Sequence, residues 1–162
     1  MMACRGVHFA LTPDETARLE SASDNDEVME VIEEVEDRWD REWLVETDKA
    51  WDAIHRCLTD GTLSYGWTHL HKCMLGGDNL HDGDNYIVNL LDPAEVKEVA
   101  AAIRAFDETR MRTNYFTIDP DDYGFPPTEE DFQYTWQNFQ DLRFSRRRPA
   151  TTERWFSRLI SR

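Results

Sequence analysis

Twice in this chain a strand-like run ends in the same helix-start signal. Arg5-Gly-Val-His-Phe-Ala-Leu11 is followed by Thr12-Pro13-Asp14-Glu15, and Tyr86-Ile-Val-Asn-Leu-Leu91 by Asp92-Pro93-Ala94-Glu95. In both signals Thr or Asp caps a helix and proline takes the first helical position. The glutamate three residues after the cap reaches back to it. The chain must therefore leave a strand and enter a helix at two fixed points. In the first strand Val7, Phe9 and Leu11 point one way, and Gly6, His8 and Ala10 the other. The second run is apolar nearly throughout, which predicts a central strand.

The remaining elements follow from periodicity. The first helix ends near Ser21, and Asp24 or Asn25 starts another with Val28, Val31, Ile32, Val35 and Trp39 inward. Glu30, Glu33, Glu34 and Asp37 form its solvated outer face. Either this helix continues toward Trp43 or the chain turns near Asp40, and residues 42–46 read as a short strand or a loop. After Asp92 a long helix carries Val96, Val99, Ala100, Ile103, Phe106 and Met111 inward. Residues 113–127 are rich in turn residues and read as a loop. Thr128 caps the next helix, with Asp131 at its third position and Phe132, Thr135, Trp136, Phe139 and Leu142 as its stripe. Beyond Pro149, Trp155, Phe156, Leu159 and Ile160 predict one more short amphipathic helix. Strands scattered among capped helices, without regular alternation, predict an α+β fold. Several capped helices would pack on a small mixed or antiparallel sheet. At 162 residues this is a single domain over residues 1–142, with an arginine-rich tail at 143–162.

The stretch Trp43–Gly61 concentrates the unusual chemistry. Thr47 can cap a helix that Gly61 ends in a left-handed turn, with Ala50, Trp51, Ile54, Cys57 and Leu58 as its apolar stripe. Asp48, Asp52 and His55 then lie one turn apart along one edge, and Trp51 neighbours His55. Together with Arg5 and His8 from the first strand, this edge is a candidate acid–base site for a small hydrolase or transferase, with His55 as base. Cys57 sits on another face, so no nucleophile stands beside it. The reading favoured is structural: Asp52 or Asp48 orients a buried His55 and satisfies it.

His69, His71 and Cys73, alternating in an aperiodic segment with His81 further on, are the weak metal candidates. They lack the turn spacing of zinc sites, so no metal is expected. Gly76-Gly77 marks a tight turn or a close backbone approach. Leu75-Gly-Gly lacks the Lys-Ser/Thr of a nucleotide loop, and no cofactor is expected.

The net charge of −15 is unevenly spread. Residues 142–162 hold seven arginines against Glu153, a local charge of +6, which leaves −21 on the other 141 residues. Such a body repels nucleic acid and anionic membrane and attracts basic proteins. A basic protein partner is therefore expected, with the loop aromatics Tyr115, Phe116, Tyr123 and Phe125 as exposed anchors, and with Arg5, His8 and Trp51 as further binding candidates. The arginine tail is expected to fold back on the protein's own acids or to reach an acidic partner. No run of 18 apolar residues crosses a membrane, the start of the chain has no apolar signal region, and Cys4, Cys57 and Cys73 form no close pair. A cytoplasmic location is expected.

Four motifs also carry a resemblance: Arg5-Gly-Val-His-Phe-Ala-Leu-Thr-Pro, Trp43-Leu-Val-Glu-Thr-Asp-Lys-Ala-Trp-Asp-Ala-Ile-His, Leu75-Gly-Gly and Phe132-Gln-Tyr-Thr-Trp. Over residues 5–142 the chain resembles the YfbM-like family of small bacterial proteins, a domain of unknown function. The resemblance implies a compact α+β cytoplasmic bacterial domain and brings no activity, cofactor or catalytic residue. The arginine-rich stretch departs from the family pattern.

Overall fold

The computed structural model describes residues 4–83, 86–145 and 154–161. Among the described residues five strands form one sheet: β1 (Cys4–Leu11), β2 (Leu44–Asp48), β3 (Asp78–Asn79), β4 (Tyr86–Leu91) and β5 (Arg154–Ser161), in the order β2-β1-β5-β4-β3. All the pairings are antiparallel. Helices α1 (Pro13–Ser21) and α2 (Asn25–Arg38) cover one face. Val7, Phe9 and Leu11 of β1 and Val88 and Leu90 of β4 meet Leu19, Val28, Val31, Ile32 and Val35 there. The other face carries α3 (Trp51–Leu58), α4 (Pro93–Arg104), α5 (Glu108–Tyr115), α6 (Pro120–Tyr123) and α7 (Glu129–Ser145). Ala10 and Leu91 meet that larger core. The period-two alternation of β1 and β4 thus feeds two cores, one on each side of the sheet.

Both helix-start signals are formed. The Glu15 and Glu95 carboxylates accept from the Thr12 and Asp92 amides at 2.8 and 2.9 Å, while the caps accept from Glu15 N and Glu95 N at 3.2 and 2.8 Å. Asp24 caps α2, and Trp39 ends it in a left-handed turn at φ 36°, so the chain turns near Asp40. Gly77, at φ +93°, marks a close approach, since a Cβ there would lie 2.7 Å from the Leu90 carbonyl oxygen.

Four expectations are corrected. The helix expected from Thr47 starts at Trp51. Thr47 belongs to β2, where its buried hydroxyl donates to the Gly6 carbonyl at 3.4 Å and meets His8 Nε2 at 3.1 Å. Asp48, at φ +43°, turns the chain out of the strand, and Ala50 occupies the cap position without a side-chain bond. The long helix after Asp92 is two helices, because Asp107 accepts from Arg110 N at 2.8 Å and caps α5. The stretch 113–127, expected as a loop, contains the end of α5 and all of α6. The short helix expected over Trp155–Ile160 is instead strand β5, paired with β1 on one side and β4 on the other. Four apolar residues at helical spacing are a weak signal. Two strands that each offer a free row of backbone groups outweigh it, since every buried amide and carbonyl needs a partner.

Candidate functional site

Every residue of α3 from Trp51 to Leu58 is buried, so its polar side chains must find partners inside the protein. Asp52 does not face His55. It accepts from Arg56 Nε at 2.6 Å, four residues on, and Arg56 reaches across to the Asp122 carboxylate and packs over the Tyr123 ring. Burial pushes the Asp52 carboxyl upward against the pull of Arg56. Below this pair, Asp131 accepts from both tyrosine hydroxyls, Tyr115 at 2.5 Å and Tyr123 at 2.8 Å. Burial, reinforced by Asp131, raises the pKa of both phenols. Tyr115 and Tyr123, expected as exposed anchors, are therefore core residues, as is Trp51. Phe116 of the same expected set is exposed, and so are Trp67, at 85%, and Tyr65 on the same loop.

His55 is fully buried. Its Nε2 lies 2.8 Å from the Ser64 carbonyl and so donates to it, while Nδ1 has no partner among the described residues. Desolvation, with a small push from His71, lowers its pKa to about 4. The imidazole is neutral at pH 7 and tethers the loop that follows α3. Cys57 offers no nucleophile, because burial pushes its thiol up to about 12. The proposed trio of His55, Asp48 and Asp52 is thus divided among three separate arrangements.

The metal candidates are divided too. His71 and Cys73 lie on a short 3₁₀ turn, not on a strand. Cys73 is buried in the core, His71 packs edge-on against His55 at 5.7 Å, and exposed His69 faces Glu98 at 3.4 Å. His81, at the other end of the segment, packs against Tyr86.

Asp48 is the candidate that faces solvent. Its carboxylate accepts from Arg5 Nε at 2.8 Å and from the Tyr134 hydroxyl of α7 at 2.6 Å. The Tyr134 bond, joined by Arg5, holds Asp48 below the usual carboxylate range, and burial together with Asp48 raises Tyr134 to about 12. These residues border a cleft of about 460 Å³ between β2 and α7, which also includes Arg41, Glu46, Asn138 and Asp141. Of the expected binding residues, Arg5 lines this cleft, while His8 is buried behind it. Sequence reasoning missed Arg56, although opposite charges four apart on a helix announce the Asp52 pair. It also missed Tyr134, which lies 86 residues from its partner and gave no local signal.

A comparison with curated proteins finds no match. The fold is similar to the crystal structure of YfbM from Escherichia coli, a protein of unknown function, with a TM-score of 0.74 and 16% sequence identity. The match covers 96% of this chain and 99% of that one. Residues 2–151 match the family described as a domain of unknown function (DUF1877). The chain belongs to that family.

Proposed function

We propose that this protein is a non-catalytic binding module of the bacterial cytoplasm that masks a basic protein partner, as an immunity or antitoxin-like protein does. The observation that carries this reading is the outer face of α2. Glu30, Glu33, Glu34 and Asp37 stand in solvent there, and among them Glu34 is paired, with Arg18 at 2.6 Å. Charge of one sign on a rigid helix costs self-repulsion and is repaid by steering an oppositely charged partner into contact. The engagement of His55, Asp52 and Asp48 in bonds to Ser64, Arg56 and Tyr134 points the same way, since each is already held in a structural contact. The buried free thiols of Cys57 and Cys73 suit a reducing compartment.

Affinity capture from the native host, followed by binding of the captured protein at two salt concentrations, tests the reading. The expected result is a basic protein whose association slows as salt rises, because screening shortens the Debye length from about 10 Å at 0.1 M. Binding of DNA or RNA by the full chain, with no protein captured, would refute it. Capture of a small molecule alone would move the weight to an enzyme.

A further inference from the structure

We infer that the cleft along β2 is a docking groove for an extended segment of a basic protein, which adds to the sheet as a sixth strand. The inference rests on the basic-partner reading above and assigns it a surface. β2 is an edge strand, paired with β1 alone among the described residues. An edge strand presents unpaired amides and carbonyls at every second residue. The cleft is lined by four of the five β2 residues, Leu44, Val45, Glu46 and Asp48. Leu44 packs into the core on the α2 side and Val45 against the core on the α3 side. A hollow that both of them line therefore opens at the edge of the strand and not over one face of the sheet. Its far wall is α7, which contributes Tyr134 and Asp141.

The groove's charge chooses the occupant. Glu46, Asp48 and Asp141 face it with Arg5 and Arg41. Arg5 is already spent on Asp48 at 2.8 Å and stands 3.8 Å from Glu46. One carboxylate charge is left in excess, so the groove suits a segment with a single basic side chain and not a polybasic tail. Tyr134, partly exposed, stands in the groove as an aromatic anchor of the kind that dominates interfaces. Asp48 closes the strand in a left-handed conformation and is held rigid by Arg5 and Tyr134. The groove is thus organised before a partner arrives, which lowers the cost of binding.

The test uses the full chain and three synthetic pentapeptides. One is acetyl-Val-Thr-Arg-Thr-Val-amide. The second has glutamate in place of arginine, and the third carries an N-methyl group on all five residue amides. Amide exchange and chemical shifts are read by NMR. The arginine peptide is expected to slow exchange of the β2 amides and to shift the Tyr134 and Asn138 signals. Glu46→Gln combined with Asp141→Asn should weaken it by about fivefold or more, and Tyr134→Ala should weaken it as well. The N-methylated peptide should fail, because it has no residue amide left to pair with an edge. Equal binding of all three peptides, or no change at β2, overturns the docking groove. An arginine peptide that shifts only α2 overturns the groove while leaving the basic-partner reading standing. Failure of that wider reading is seen separately, in the capture experiment.

Discussion

Helices α2 and α3 pack on opposite faces of one sheet and solve opposite problems. α2 buries Val28, Val31, Ile32 and Val35 and leaves Glu30, Glu33 and Asp37 in water. α3 is surrounded, so Asp52, His55 and Arg56 are inside with the apolar residues. In α2 a charge is a surface property, free to change. In α3 it is a structural member, because a buried charge without its partner carries the full cost of lost hydration.

The sharpest way to break this comparison is Arg56→Ala. It strands Asp52 and removes the link to α6, and a loss of about 3–5 kcal/mol in chemical denaturation is expected. Glu33→Ala on α2 should stay within about 0.5 kcal/mol. A small effect at Arg56 would mean that water reaches α3.

Acidification comes next. His55 titrates near 4 in the folded protein against an ordinary 6.5. As pH falls through 6.5 the unfolded chain takes up this proton and the folded one refuses it, so stability declines until about pH 4 and then levels. The linkage amounts to about 3 kcal/mol, an order-of-magnitude figure. Asp60 eases the protonation, while His71 and Arg56 oppose it. Denaturation curves across this window for wild type and His55→Gln should converge toward low pH. Parallel curves would show that the imidazole does not contribute the slope.

A third, smaller loss is expected on the same side of the sheet. Asp131→Ala orphans the hydroxyls of Tyr115 and Tyr123 and should cost about 1–3 kcal/mol in thermal or chemical unfolding. Asp131→Asn keeps an acceptor and should recover part of it. No recovery would argue that the negative charge of Asp131 matters more than the hydrogen bonds.

The same contrast explains what was legible in the sequence. α1, α2 and α4 were readable because caps and one-sided apolar stripes are local signals, and β4 because a continuous apolar run is one too. α3 was legible as a helix but not in its wiring. On a helix buried all round, the edge that holds Asp52 and His55 is no more exposed than the stripe. Which polar residues meet is then decided by distant segments, such as Asp122 and Ser64. β5 was misread for a related reason, since a strand's reward comes from β1 and β4, more than 60 residues earlier. Asp48 and Tyr134 each lie in one of the quoted motifs, but their bond spans 86 residues and neither motif says that the two meet. The pattern of capped helices and scattered strands supplied the α+β class and the resemblance agreed with it, but neither said anything about these contacts.

The smallest expected effect on stability belongs to the outer face of α2, and it sharpens the comparison most cleanly. Changing Glu30→Gln, Glu33→Gln and Asp37→Asn together removes three exposed charges without touching a buried contact. Each change should alter stability by no more than about 0.5 kcal/mol, and relief of self-repulsion works against the sum. The fold, read by circular dichroism, should be unchanged. If the face steers a basic partner, however, association with the protein captured from the host should slow, and its salt dependence should flatten. Dissociation should change little, because affinity resides in buried anchors and not in rim charges. An unchanged association rate would leave α2's acids with a solvating role alone and shift the search for the binding face to the groove beside β2. A large loss of stability would erase the distinction between the two helices, since it would make the α2 charges as structural as Arg56.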